Sequence, residues 1–273
     1  MIWRSPVRVQ IFDIDGQLLH VGVRAGTGTP LLLFNGIGAN MALLAPIVDA
    51  LGGLEVIVFD VPGAGASKPK LLPYRMRSLA QLTDRLLTRL GYDKPVDVLG
   101  VSWGGVLAQQ FARSFPTRCR RLILAATTPG VLMVPGSPFV LTKMLNPRRY
   151  RDADYLARIA PDLYGGKVRR NPALIHQHAS LLAPPHWRGY LYQQLALWGW
   201  SSLPWLHRLR QPTLVMAGSD DPLIPLANAR ILAALIPRAR LEVIDDGHLF
   251  LMSSAEHVAP EIRRFLGAPC ATL

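Results

Sequence analysis

One short glycine-rich segment carries the pattern of a reactive serine. Residues 100–104, GVSWG, match G-x-S-x-G, in which the serine lies on a sharp turn between a strand and a helix. Positions two before and two after the serine must be small because they crowd its backbone, and both are glycine. Such a turn holds the serine in a strained conformation, and the helix N-terminus favours developing negative charge. The pattern predicts Ser102 as the nucleophile of an acyl transfer.

A histidine and an aspartate are needed to activate this serine, because its hydroxyl alone is a weak nucleophile at neutral pH. Of the seven histidines, only His248 follows a predicted core strand, on a glycine turn before the last helix. We therefore predict His248 as the general base. Its chain position after the serine and the acid agrees with the order Ser, Asp, His.

Two neighbouring aspartates compete for the role of the acid that orients the base. Both lie in residues 218–225, GSDDPLIP, after a predicted strand. The spacing Gly-x-x-Asp-x-x-x-Pro favours Asp221, and Asp220 remains the alternative. Asp245 and Asp246 lie too close to His248 in the sequence to reach back to its Nδ1, so we expect them to cap the turn or to pair with arginine.

Two backbone N–H groups are expected to bind the oxyanion of a tetrahedral intermediate. One belongs to Trp103, directly after the nucleophile, and the other to Ile37, in the loop 35–38 after a predicted strand. The glycines at 36 and 38 allow close approach of the backbone. One such donor typically lowers the barrier by about 3–4 kcal/mol.

Alternating strands and helices are predicted on both sides of these motifs. This order is typical of a mostly parallel sheet with helices on both faces. Asp15-Gly16 predicts a tight hairpin turn, and Ser78 is predicted as the N-cap of a helix. The predicted strands are 7–14, 17–23, 31–34, 55–60, 96–101, 121–126, 213–217 and 240–244. The predicted core helices are 40–51, 78–90, 103–115, 226–235 and 255–266.

A segment of about eighty residues interrupts this alternation. It is rich in Pro, Trp, Tyr and Arg, and only short helical pieces such as 152–160 and 172–182 are predicted in it. An insertion of this size after a strand commonly forms a lid over a site. We therefore predict one α/β core in two parts, 1–130 and 211–273, and a helical lid, 131–210.

Composition excludes several other classes of protein. A chain of 273 residues, half of them apolar, is long enough for one large core with an inserted subdomain. Neither a secretory signal nor a membrane-spanning run is visible, and the only cysteines are Cys119 and Cys270. Cytoplasmic localisation in a reducing compartment is the expectation.

The strongly basic charge does not by itself predict a nucleic-acid partner. The net charge is +12, but the arginines are scattered and no nucleic-acid-binding motif is present. Zinc-binding and dinucleotide-binding spacings are also missing from the sequence. We expect neither a metal nor another cofactor.

Taken with these motifs, the chain resembles the intracellular depolymerases of medium-chain-length poly(3-hydroxyalkanoates), of the α/β-hydrolase superfamily. The resemblance implies an α/β-hydrolase fold with an inserted helical lid. It also implies cleavage of ester bonds in a storage polyester at the granule surface, with release of 3-hydroxyacids or short oligomers. The matching segments are 33–40, 59–63, 100–105, 108–112, 147–150, 177–180, 220–225 and 244–251.

Aromatic residues of the predicted lid are candidates for binding an apolar polyester. The candidates are Trp187, Trp198 and Trp200, and the alternative is that these rings form the lid's own core. Asn35, where many relatives carry histidine, is a further candidate for substrate binding.

Other functions remain open on the same fold, because a fold does not determine a substrate. The enzymatic alternatives are a small-molecule carboxylesterase, a lactonase and a hydrolase of carbon–carbon bonds. A non-enzymatic alternative is a granule-coating or ligand-binding protein.

Overall fold

An eight-stranded sheet forms the centre of the computed structural model, which describes residue 3 and residues 6–267 apart from the side chain of residue 177. The strand order is β1-β2-β4-β3-β5-β6-β7-β8. β2 runs antiparallel to β1 and β4, and the remaining pairs are parallel, so the predicted mostly parallel sheet is confirmed. The strands are β1 Arg8–Ile14, β2 Gln17–Arg24, β3 Thr27–Phe34, β4 Leu54–Phe59, β5 Val96–Val101, β6 Cys119–Ala125, β7 Thr213–Gly218 and β8 Ala239–Ile244.

Helices cover both faces of the sheet and also form the segment between β6 and β7. The helices are α1 Ala45–Ala50, α2 Met76–Arg89, α3 Trp103–Ser114, α4 Pro138–Leu145, α5 Ala153–Tyr164, α6 Gly166–Arg170, α7 Leu174–Leu181, α8 Trp187–Leu197, α9 Leu226–Leu235, α10 Phe250–Ser253 and α11 Ala255–Gly267. Short 3₁₀ helices are Met41–Leu44, Pro147–Tyr150 and Leu203–Arg208.

Two apolar layers lie on opposite faces of the sheet. In β3, Leu32 and Phe34 point into the layer that contains α2, α3 and α9, whereas Leu31 and Leu33 point into the layer with α1 and α11. Because side chains alternate along a strand, a strand buried on both faces is a continuous apolar run. This explains why the run 31–34 predicted a central strand.

The hairpin formed by β1 and β2 has the tight turn that its residues Asp15 and Gly16 predict. Asp15 and Gly16 both have positive φ, 53° and 81°, as a type I′ turn requires. β1 then pairs with β2 from Ile14↔Gln17 to Arg8↔Val23.

Two predicted helix starts are wrong. The segment predicted as a helix over 40–51 is a 3₁₀ turn followed by α1, because Pro46 has no N–H with which to continue an α-helix through it. Ser78 is not the N-cap of α2. It is the third helical residue, and its Oγ accepts a hydrogen bond from the N–H of Arg75, the N-cap, at 3.1 Å.

The segment between β6 and β7 has an apolar cluster of its own. α4, α5, α6 and α7 contribute buried side chains, and Leu223 of the core completes the cluster. β6 and β7 are direct neighbours in the sheet, so the sheet is continuous without any strand from this segment. It emerges at the carboxyl end of β6, the edge where the loops after β3, β5, β7 and β8 also lie. We call it the inserted segment, residues 131–210.

Candidate active site

The turn after β5 holds Ser102 in an unusual backbone conformation. Its φ is 54° and its ψ −120°, a region that costs about 1–3 kcal/mol for a residue with a side chain. The surrounding structure supports this conformation, because the Ser102 N–H donates to the Ala125 carbonyl at 2.9 Å. A Cβ at Gly100 would overlap the backbone of Gly104, which explains the need for glycine there.

His248 lies on the turn after β8 with its imidazole almost fully buried. Its Nε2 is 3.2 Å from the Oγ of Ser102, and its Nδ1 is 2.8 Å from the Oδ2 of Asp221. The backbone N–H of His248 donates to the Tyr164 carbonyl at 2.7 Å. The ring of Tyr164 stacks on the imidazole at 6.4 Å, so the base is held from two directions.

The structure distinguishes the two competing aspartates. The Oδ1 of Asp221 accepts hydrogen bonds from the N–H groups of Leu223 and Ile224, both at 2.9 Å, which leaves Oδ2 for His248. Asp220 points away, because its carboxylate accepts from the Gly166 N–H at 2.8 Å and pairs with Arg169 at 2.6 Å. The Asp221 carboxylate therefore has the geometry of an orienting acid.

Asp246 fixes the loop that carries His248. Burial alone would raise its pKa, but hydrogen bonds from Ser253, Ser254 and two backbone N–H groups outweigh burial and hold the pKa below its ordinary value. One of these N–H groups is that of Gly247, at 2.7 Å. Asp245 pairs with Arg170. Both aspartates thus have the partners expected for turn-capping and ion pairing.

The loop that carries Ile37, one of the two predicted oxyanion donors, lies beside Ser102. Gly36 lies beside the nucleophile, since a Cβ placed on it would be 3.7 Å from the Cβ of Ser102. Within the described part of the chain, the N–H groups of Trp103 and Ile37 donate to no other residue. Both are therefore free to bind an oxygen of a bound ester.

A cavity of about 90 Å³ adjoins Ser102 and His248. Its wall is mostly apolar, and it comes from the core loops and from the inserted segment together. Core residues in the lining are Asn35, Gly36, Ile37, Ala39, Leu43, Leu44, Ile47, Val101, Leu223, Leu249, Leu251 and Met252. Residues from the inserted segment are Met144, Arg149, Tyr150, Tyr164, His178 and Leu182.

The inserted segment brings two buried basic groups to this cavity that the sequence motifs did not indicate. Arg149 and His178 lie in segments that match the resembled family, but no catalytic motif includes them. Burial, and after it repulsion from Arg149 and His248, lowers the pKa of His178 to about 4. The imidazole of His178 is therefore neutral at neutral pH.

Of the four candidate substrate-binding residues, Asn35 lines the cavity and the three tryptophans do not. The side chain of Asn35 holds its own loop by donating to the Asn40 carbonyl at 2.7 Å. Trp187 and Trp198 are 61% and 82% exposed, and Trp200 packs edge-on against Trp205. Trp200 also donates its indole N–H to Gln110 of α3 and packs against the main core layer, so it belongs to neither the cavity wall nor the inserted segment's own apolar cluster.

Residue 3 and residues 6–267 contain neither a metal-binding cluster nor a helix suited to crossing a membrane. No group of three or more His, Cys, Asp or Glu residues there could hold a metal ion. None of the helices in that part of the chain has the length and apolar character to cross a bilayer. Cys119 is buried with a free thiol, and Cys270 lies outside the described residues.

Comparison with known proteins supports both the fold and the resemblance. A sequence model of the alpha/beta hydrolase fold family matches residues 29–255. The chain is 53% identical to the poly(3-hydroxyalkanoate) depolymerase of Ectopseudomonas oleovorans, over 96% of this chain and 93% of that protein.

Two solved structures share the fold over nearly their whole length. The enol-lactonase from Burkholderia xenovorans LB400 superposes with a TM-score of 0.80 at 24% identity, over 95% of this chain and all of that one. A thermophilic esterase from Thermogutta terrifontis superposes with a TM-score of 0.77 at 27% identity, over 96% of this chain and 98% of that one.

Proposed function

Because the chain belongs to the α/β-hydrolase family, and within it to the poly(3-hydroxyalkanoate) depolymerases, we propose that it hydrolyses the ester bonds of a medium-chain-length poly(3-hydroxyalkanoate) with Ser102, His248 and Asp221 as its catalytic triad. The observation that carries this proposal is the continuous row of hydrogen-bonding distances, 3.2 Å from Ser102 to His248 and 2.8 Å from His248 to Asp221. Such a row is the arrangement by which a base activates a serine.

The first half of the reaction forms an acyl-enzyme. Ser102 Oγ attacks the ester carbonyl while His248 Nε2 takes its proton, and Asp221 stabilises the imidazolium through Nδ1–H. The N–H groups of Trp103 and Ile37 donate to the oxyanion of the tetrahedral intermediate. When the intermediate collapses, the ester C–O bond breaks and His248 returns the proton to the departing alcohol, which is the hydroxyl end of the cleaved chain.

The second half reverses these roles with water. His248 takes a proton from a water molecule, whose oxygen attacks the acyl carbonyl of the Ser102 ester. The second tetrahedral intermediate uses the same two backbone donors. Its collapse returns the proton to Ser102 Oγ and releases a carboxylic acid, so that the enzyme is regenerated.

Access to this site is proposed to lie under the inserted segment, which acts as a lid. Its residues Met144, Tyr150 and Leu182 form part of the cavity wall above Ser102. An apolar wall suits the hydrocarbon side groups of a polyester, because burying apolar surface contributes about 25 cal/mol per Å².

The outer face of α8 supports docking on the surface of a polyester granule. Trp187, Leu191, Leu195 and Trp198 are all exposed, between 37% and 82%. The first three are four residues apart, which places them along one side of the helix, and Trp198 follows directly as its C-cap. A contiguous apolar patch on a protein surface commonly marks an interaction site. An insoluble polymer with apolar side groups is a partner of matching chemistry.

A latex-clearing assay over polyesters of different side-group length tests the proposed substrate. We expect clearing and release of 3-hydroxyacids from polymers with medium-length side groups, and none with Ser102→Ala. Hydrolysis of only small esters or lactones would favour the small-molecule hydrolases instead. Binding to the latex without any hydrolysis would favour a granule-coating protein.

A further inference from the structure

We infer that two residues of the inserted segment, Tyr150 and Gln193, are positioning residues for the oxyanion donors: their side chains hold the peptide that follows Ile37, and the Gln193 carbonyl anchors the indole of Trp103. The inference rests on the proposed roles of the Trp103 and Ile37 N–H groups. It makes the inserted segment part of the catalytic geometry as well as a cover over the cavity.

The first observation concerns the peptide that follows Ile37. Its carbonyl accepts a hydrogen bond from the hydroxyl of Tyr150 at 2.7 Å, and its N–H, that of Gly38, donates to Oε1 of Gln193 at 2.8 Å. Because a peptide unit is planar, holding both its polar groups fixes its orientation. This restricts the rotation of Ile37, and thereby the direction of the Ile37 N–H.

The second observation concerns the other donor. The indole Nε1 of Trp103 donates to the backbone carbonyl of Gln193 at 2.9 Å. Gln193 is fully buried and Trp103 nearly so, so water does not compete for this bond. One residue of α8 therefore bonds to Trp103 and to Gly38, the residue next to Ile37, although the two donors Ile37 and Trp103 are separated by 66 positions in the chain.

The third observation concerns the strength of the Tyr150 bond. The buried guanidinium of Arg149 donates to the Tyr150 hydroxyl oxygen, and a charge-assisted bond of this kind polarises the hydroxyl toward its own acceptor. Burial raises the pKa of Tyr150, so the hydroxyl keeps the proton that it donates to Ile37. No ion pair of the described residues includes Arg149, so its positive charge is not neutralised by a protein carboxylate.

The fit between the loop and Tyr150 also depends on Gly38. Its φ is +67°, and a Cβ on it would overlap the Tyr150 hydroxyl. The loop backbone thus lies directly against the inserted segment, which explains why a residue without a side chain stands there.

A purely structural reading is that these bonds only dock the inserted segment on the core. The chain offers a matched control for that reading. Tyr192, the neighbour of Gln193 on α8, donates its hydroxyl to the carbonyl of Leu71 in the core at 3.0 Å. Tyr192→Phe therefore removes a docking bond of the same kind, whose acceptor is not next to either oxyanion donor in the chain.

The test compares Tyr150→Phe, Gln193→Met and Tyr192→Phe in the full chain. Two quantities are measured, namely the kinetics on a soluble nitrophenyl ester and the inhibition constant of a trifluoromethyl ketone, which forms an oxyanion adduct with a reactive serine. Complete removal of one oxyanion donor costs about 10²–10³ in kcat, and a loosened donor should cost less. We expect Tyr150→Phe and Gln193→Met each to lower kcat about tenfold with little change in KM. The inhibition constant should rise by the same factor, and Tyr192→Phe should leave both quantities within about twofold.

The outcomes separate this inference from the proposed function. If Tyr150→Phe and Gln193→Met match Tyr192→Phe in kcat and in inhibition, or change KM alone, the positioning role is wrong. If Gln193→Met does not fold, Tyr150→Phe decides alone, because it keeps the aromatic ring. Ser102→Ala is the separate control: if it still hydrolyses the ester, the proposed function fails, whatever the other variants show.

Discussion

The core and the inserted segment contribute to the site in different ways. The core supplies Ser102, Asp221 and His248 from turns after β5, β7 and β8, and each turn carries a short sequence pattern. The inserted segment supplies Tyr150 and Gln193 through packing and hydrogen bonds, with no such pattern. The proposed chemistry is thus encoded locally in the core, whereas the loop backbone beside Ser102 is hydrogen-bonded by residues of the inserted segment.

Ser102→Ala should have the largest effect of any single substitution. Without the nucleophilic oxygen, no acyl-enzyme forms, and kcat/KM on a soluble ester should fall by at least about 10⁴-fold. Thermal unfolding serves as the control and should show an intact fold. Turnover within tenfold of the wild type would mean that the core does not supply the nucleophile from this turn.

Asp221→Asn and Asp220→Asn form a matched pair on the acid loop. Asp221→Asn should lower kcat by about 10³–10⁴-fold, because the amide no longer orients His248 or stabilises its charged form. Asp220→Asn should leave kcat within about threefold, because its carboxylate bonds to Gly166 and Arg169 of the inserted segment and not to His248. The reverse order of effects would make Asp220 the orienting acid.

Substitutions on the outer face of α8 should distinguish granule docking from catalysis. The double variant Trp187→Ser, Trp198→Ser should slow latex clearing about tenfold by removing exposed apolar area, with hydrolysis of a soluble ester unchanged. Ile11→Ser, on the exposed edge strand β1, is the matched control and should affect neither assay. Equal losses on latex and soluble ester would argue against a docking surface.

Substitution of His178 should have the smallest effect, a change in how the free energy of unfolding depends on pH. Its pKa is lowered to about 4 in the folded protein, whereas an unfolded histidine titrates near 6.5. The unfolded state therefore binds a proton first on acidification, and the folded state loses about 2–3 kcal/mol between pH 6.5 and 4.5. Chemical denaturation of His178→Phe should lack this part of the pH dependence. An identical dependence in the wild type and the variant would contradict a buried neutral imidazole.

Local patterns predicted the fold class and the relative position of the triad residues. The resemblance to poly(3-hydroxyalkanoate) depolymerases, seen in segments such as 33–40, is confirmed by the 53% identical relative. Ser102, Asp221 and His248 are predictable because each lies on a turn that follows a strand. Parallel strands bring such turns together at one edge of the sheet. In the sequence, only spacing favours Asp221 over Asp220, and the structure brings Asp221, not Asp220, to His248.

Other features depend on contacts that a sequence pattern does not record. Residue type makes Trp200 a candidate for binding substrate, but an aromatic ring packs equally well into a core, and Trp200 contacts Trp205. Arg149 and Gln193 reach the site only because the inserted segment folds back over the core. Helix ends are less predictable from the sequence, since the N-cap of α2 is Arg75, three residues before the predicted N-cap Ser78.

The central claim, that Ser102 is the activated nucleophile, is tested most directly by labelling with a fluorophosphonate. The wild-type protein should lose ester hydrolysis in step with a single phosphonyl adduct on the peptide that contains Ser102, and His248→Ala should react far more slowly. An adduct on another residue, or full hydrolysis with Ser102 completely labelled, would contradict the account.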